Sequence, residues 1–132
     1  MQKKTRRLVA TILTTLLLVT FCSAFLQAYA WTNICCTSIS FPISGGTGNV
    51  ACTIEAYTSV TKVTIKANLQ QKVSGSWKTI ATWEKSADAR DLLVAGSKAL
   101  TKGYDYRVEA IFTAKSSALT ETVTLYSTVR SY

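Results

Sequence analysis

From residue 34 onward, apolar and polar positions alternate with a period of two, the pattern of strands that bury one face. Ile39, Phe41 and Ile43 share one side of a first candidate strand, Ile34–Ile43, with Ser38, Ser40 and Pro42 on the other. Proline has no N–H to donate, so this segment suits a sheet edge. Ser44–Asn49 is glycine-rich and predicts a turn. Val50, Cys52, Ile54 and Ala56 then alternate with Ala51, Thr53, Glu55 and Tyr57. Val63, Ile65, Ala67 and Leu69 alternate with Lys62, Thr64, Lys66 and Asn68, the most regular amphipathic run in the chain. Ser74–Ser76 predicts a hairpin turn. Trp77–Lys85 predicts a fourth strand with Trp77, Ile80 and Trp83 as its large apolar residues. Asp88–Arg90 reads as a loop, Leu92–Val94 as a short strand and Leu119–Val129 as the last one. One helical turn fits within Ser86–Leu93, and no capped amphipathic helix follows residue 30.

The stretch Leu100–Phe112 organises the rest. Tyr106, Val108, Ala110 and Phe112 fall on one face, and Arg107, Glu109, Ile111 and Thr113 on the other. Two charges on the second face leave it solvated, as antiparallel sheets allow. Gly103 stands where the chain must turn into this strand. A buried Tyr106 hydroxyl needs a partner, and the backbone of the preceding corner is within reach. Short strands joined by polar turns, rich in Thr, Val and Ile, predict an all-β protein: a single antiparallel β-sandwich of about seven strands.

Leu100, Gly103, Tyr106 and Val108 have the spacing L-x-x-G-x-x-Y-x-V, which resembles the fibronectin type III and immunoglobulin-like sandwiches. The resemblance implies that Leu100, Gly103 and Tyr106 form a structural tyrosine corner. It spans about a dozen residues of the dyad pattern, and Lys102 stands where that family often has proline. Gly75-Ser-Trp77-Lys-Thr-Ile80 and Glu121-Thr-Val-Thr-Leu-Tyr126-Ser look like an uncharacterised family of small secreted proteins from clostridia-type Gram-positive bacteria, which brings no known activity with it.

The N-terminus carries an address. Lys3, Lys4, Arg6 and Arg7 precede the apolar run Leu8–Phe25, and Ala28-Tyr29-Ala30 is a small-x-small cleavage site. Residues 1–30 therefore read as a helical secretory signal peptide, cut after Ala30, with an uncleaved membrane anchor as the alternative. Phe21 precedes Cys22 where lipidation needs a small residue. Residues 31–132 then form one β-sandwich domain, expected to be secreted and extracellular, with a membrane in play only through an uncleaved leader.

Removing the leader changes the charge. Four of the fifteen Lys and Arg go with it, leaving eleven against seven Asp and Glu, so +8 becomes +4. A mildly basic chain favours anionic surfaces such as teichoic acids, phospholipid or acidic glycans. No run of four basic residues remains, and secretion also argues against nucleic acid.

Cleavage leaves Cys35, Cys36 and Cys52, an odd number of thiols. A bridge to Cys52 would close a loop of about 16 residues, worth roughly 3 kcal/mol. A hairpin about Gly45–Gly48 sets Phe41 opposite Cys52 and Cys35 opposite Thr58, which holds Cys35 on the order of 20 Å from Cys52. A disulfide needs Cα atoms within roughly 7 Å. A folded-back arm at Trp31–Cys36, a strained Cys35–Cys36 bridge and a disulfide-linked dimer stay open.

The chain has no histidine, which removes Ser-His and Cys-His arrangements. Three cysteines lack a fourth ligand at zinc spacing, and the glycines lack phosphate-binding spacing. Asp88, Asp91 and Asp105 are the one acidic group to weigh, and a solvated loop explains them. No cofactor, metal or catalytic residue is expected, and the chain is read as a non-enzyme. Aromatic and basic surface residues remain: Tyr57, Trp77 and Tyr104 with Lys62 and Lys66 are candidates for binding a glycan or wall polymer. The expected role is a non-catalytic binding or structural module at the cell envelope, its partner an anionic polymer, a glycan or a surface protein. The alternative is a small cationic effector of bacteriocin or toxin type.

Overall fold

The computed structural model describes residues 31–132, which form one unit. The leader expected over residues 1–30 lies outside the described residues. Nine strands run through the described chain, and no helix occurs among the described residues. They are β1 (Ile34–Ser40), β2 (Ile43–Ser44), β3 (Thr47–Ala56), β4 (Val60–Val73), β5 (Ser76–Ala87), β6 (Asp91–Ala99), β7 (Asp105–Ser116), β8 (Thr120–Tyr126) and β9 (Arg130–Ser131). The count exceeds the expected seven because Pro42 breaks the predicted strand Ile34–Ile43 in two, and because β9 lies beyond the predicted end of the last strand at Val129, the chain leaving strand conformation at Ser127–Val129.

All pairings are antiparallel and make two sheets. In the first, β3 is central, with β6 on one side and β1 and β2 end to end on the other. The second runs β5-β4-β7-β8, with β9 extending the β8 side of β7. One apolar cluster draws on both sheets, from Val50, Cys52 and Ile54 in the first to Ile65, Leu69 and Phe112 in the second. The architecture is all-β and consistent with a β-sandwich.

Turn chemistry sets the register. Gly45 and Gly46 both have positive φ, at 56° and 79°, and Ser44 pairs with Thr47 across them. Two left-handed residues make the tight hairpin turn that matches strand twist. Thr47–Asn49, expected in a longer turn, therefore already belongs to β3. This corrects the expected pairing: Cys52 lies opposite Ile39 rather than Phe41, and a bulge at Cys35 separates the Ile34–Ala56 and Cys36–Glu55 pairs. Ser74 and Gly75, at φ 51° and 80°, build the same kind of turn between β4 and β5.

Alternation is strictest in β7, where Tyr106, Val108, Ala110, Phe112 and Ala114 are buried and the residues between them are half-buried. In β4, Val63, Ile65, Ala67 and Leu69 are buried, and on the other parity Lys66 is exposed whereas Asn68 and Gln70 are buried polar residues. Ser86–Leu93, where a helical turn fitted, instead closes β5, bends at Asp88–Arg90 and opens β6. Every buried side-chain polar atom among the described residues has a partner.

Candidate binding face

The outer face of the second sheet is built row by row from cross-strand pairs, because opposed residues share a face. Starting at the end where β4 begins, Lys62 lies directly opposite Lys115. Next come hydroxyl pairs: Thr64 with Ser86 at 2.7 Å, and Thr113 with Thr122 at 3.2 Å. Lys66 is flanked by Glu84 on β5 and Ile111 on β7. Then Thr82 donates to Asn68 at 2.8 Å, Asn68 donates to Glu109 at 2.9 Å, and the Tyr126 hydroxyl donates to Glu109 at 3.2 Å. This row crosses four strands without a break.

The last rows are aromatic and cationic. Arg107 Nε donates to Gln70 at 2.8 Å. Its guanidinium lies 4.3 Å from the ring centroids of both Trp77 and Tyr126. Lys72, paired in register with Trp77, holds its ammonium 5.8 Å from the same indole. Cations over aromatic faces at these distances are attracted by the ring quadrupole.

Trp77 reaches this face through a local irregularity. Leu69 pairs with Ala81 but Gln70 pairs with Thr79, so Ile80 is an extra residue in β5. Trp77 and Trp83 have the same parity in sequence, yet the bulge sends them to opposite faces. Trp83 turns inward and packs on the core, against Gly96 of the other sheet.

The residues singled out from sequence do not form one cluster. Tyr57 sits in the β3–β4 turn, whereas Trp77 follows the β4–β5 turn, so the length of β4, about 45 Å, separates them. Tyr104 is exposed in the β6–β7 corner, where its backbone bonds that of Tyr132. Lys62 and Lys66 are exposed along β4. Periodicity marks Arg107 as outward-facing, but its place between Trp77 and Tyr126 depends on the Ile80 bulge. Lys72, Lys115 and Gln70 carry no motif, and they and Tyr126 join the face only through register.

In the corner, Tyr106 is fully buried. Its hydroxyl donates to the Thr101 carbonyl at 2.7 Å and accepts from the Thr101 N–H at 3.0 Å. Leu100 packs against the core, and Gly103 has φ 89°. Among the described residues, Cys35, Cys36 and Cys52 are all free. Cys52 is buried in the core, which pushes its thiol up to about 11. Cys36 is exposed, and its thiol donates to Glu55 at 3.4 Å. That bond, with a little desolvation and the Glu55 charge, raises the Cys36 thiol above its ordinary range.

The acidic residues weighed for chemistry lie apart. Asp88 is in the β5–β6 bend and Asp91 pairs opposite Glu55, whereas Asp105 accepts from Ser131 at the other end of the molecule. No group of three potential metal ligands occurs among the described residues. An open cleft of about 540 Å³ runs between the edges of the two sheets, lined by Thr37–Pro42 and Leu125–Thr128. No family model matches the chain, and no curated protein matches it. The resemblances therefore rest on the residues that carry them.

Proposed function

We propose that the protein is a secreted, non-catalytic module with an immunoglobulin-like sandwich fold, and that the outer face of its second sheet binds an anionic polymer of the cell envelope. The observation that carries this reading is the charge arrangement of that face. Lys62, Lys66, Lys72, Arg107 and Lys115 project from β4 and β7. Against them stand Glu84 and Glu109, and Glu109 already accepts from Asn68 and Tyr126. Like charges directly opposed across a strand pair cost stability, so the Lys62–Lys115 pair favours a bound anion between its ammonium groups. Rows of Thr, Asn and Gln between the cations offer donors and acceptors to a polyol or sugar backbone.

Mapping the face tests the proposal. Titrating a soluble glycerol-phosphate polymer into labelled protein should shift amide resonances of Lys62–Lys72 and Arg107–Lys115 while leaving β3 and β6 unmoved. Shifts confined to the first sheet would move the site elsewhere.

A further inference from the structure

We infer that Arg107 is the phosphate-reading residue of the candidate face. Its guanidinium takes the free oxygens of a phosphodiester beside the Lys72 ammonium, and so selects a polyol-phosphate polymer over a carboxylate one, an assignment that rests on the polymer-binding reading above.

Arg107 is fixed by three contacts. Its Nε donates to the amide oxygen of Gln70 at 2.8 Å. Gln70 lies opposite Arg107 across β4 and β7 and is buried, so the acceptor is itself fixed. Trp77 from β5 and Tyr126 from β8 each bring a ring centroid to 4.3 Å from the guanidinium carbon. A group ordered in advance loses little freedom when it binds, which favours this guanidinium over a mobile ammonium as the point of recognition.

The Nη groups are left over. Among the described residues, no carboxylate forms an ion pair with Arg107 and neither Nη has a hydrogen-bond partner. Glu109, two residues along the same face, already accepts from Asn68 on one oxygen and from Tyr126 on the other. Every buried side-chain polar atom has a partner, so the unpartnered Nη atoms reach solvent. Ring contacts displace water from the guanidinium faces, so its charge is best met in the plane, at the Nη groups. A planar fork of N–H donors matches two oxygens of a phosphate or a carboxylate.

Lys72 decides between those two. Its ammonium and the guanidinium attend the same indole, at 5.8 and 4.3 Å, which sets them at most about 10 Å apart. Cations within a screening length repel, and an anion held by both relieves the repulsion. A carboxylate has its oxygens in one plane and is filled by the fork. A tetrahedral phosphate directs oxygens out of that plane and can meet the ammonium as well. Lysine at position 107 would keep the charge and lose the fork.

The test is titration of isotope-labelled protein with poly(glycerol phosphate) and, separately, with polygalacturonate of matched length. The Arg107 Nε–H resonance, identified by its loss in Arg107→Lys, is followed together with the affinity. Wild type should bind the phosphate polymer at least about fivefold more tightly, roughly the worth of one hydrogen bond, with a saturable shift of that resonance. Arg107→Lys should lose both this factor and the preference while its salt dependence stays as steep, because its charge is unchanged. The wild-type resonance and preference do not depend on any variant folding. Equal or weaker affinity for the phosphate polymer overturns the choice of phosphate. An unmoved Arg107 resonance, or undiminished binding by Arg107→Lys, overturns the role of Arg107. The lysine-lined face survives each of these results. Wild type that binds neither polymer removes the polymer-binding reading and the role of Arg107 together.

Discussion

Asn33 and Glu121 are hydrogen-bonded between the lead-in to β1 and the second sheet. The Glu121 carboxylate on β8 accepts from the N–H of Asn33 at 2.9 Å, and from those of Thr32 and Ile34 at 2.8 and 2.9 Å. The Asn33 side chain donates in return to the carbonyls of Ala114 and Leu119, at 3.2 and 2.9 Å. The lead-in to β1 is thereby fastened to the other sheet.

Burial alone would push the Glu121 carboxyl up, but the three backbone N–H groups outweigh it and hold the carboxyl below its ordinary range. A depressed folded pKa contributes stability that is present above the unfolded value and lost as pH falls through the folded one. Glu121→Gln should therefore cost about 1 kcal/mol near neutral pH, a value discounted for exposure. It should also flatten the acid limb of the stability curve below about pH 4.5. Urea unfolding at several pH values measures both effects. An unchanged acid limb would show that the clamp does not titrate.

Tyr106 ties the β6–β7 corner through both bonds to Thr101. Tyr106→Phe keeps the ring in the core but strands the Thr101 N–H and carbonyl. A loss of about 1–2 kcal/mol is expected, read from the denaturation midpoint with an unchanged slope. A neutral substitution would mean that water replaces the hydroxyl.

Gly96 lies beneath the Trp83 indole, and a Cβ there would fall inside the ring's van der Waals surface. Gly96→Ala should destabilise by about 1–3 kcal/mol through forced repacking. Trp83→Leu is destabilising by itself, yet in that background the alanine should cost much less. Equal cost in both backgrounds would place the strain in the β6 backbone instead.

Ser74 is the one non-glycine described residue with positive φ. Asparagine tolerates that conformation better, and Asn-Gly suits this turn. Ser74→Asn should raise stability by roughly 0.3–1 kcal/mol. A loss on thermal unfolding would contradict the turn assignment.

Much of this fold is legible in the sequence because β4 and β7 each bury a full run of alternating apolar residues, and a dyad pattern of that length has no helical equivalent. Less legible are features fixed by one residue. The expected Phe41–Cys52 pairing differs from the observed Ile39–Cys52 pairing because Gly45 and Gly46 alone make the turn. Trp77 and Trp83, identical in parity, separate because Ile80 is extra. The candidate face depends on those registers: Lys62 and Lys66 stand out by alternation, whereas Lys115 and Tyr126 join them only once β4, β7 and β8 are aligned.

The most direct measurement is co-sedimentation of the protein with isolated Gram-positive cell walls, with and without teichoic acid, across a salt series and beside the Lys62→Ala/Lys115→Ala double variant. Exposed charges are screened within about 10 Å at 0.1 M salt, so binding should weaken steeply as salt rises. It should be lost with teichoic acid and fall several-fold in the double variant, as expected when opposed cations are removed. Salt-resistant binding that persists without teichoic acid, or equal binding by the double variant, would contradict an electrostatic polymer site on this face.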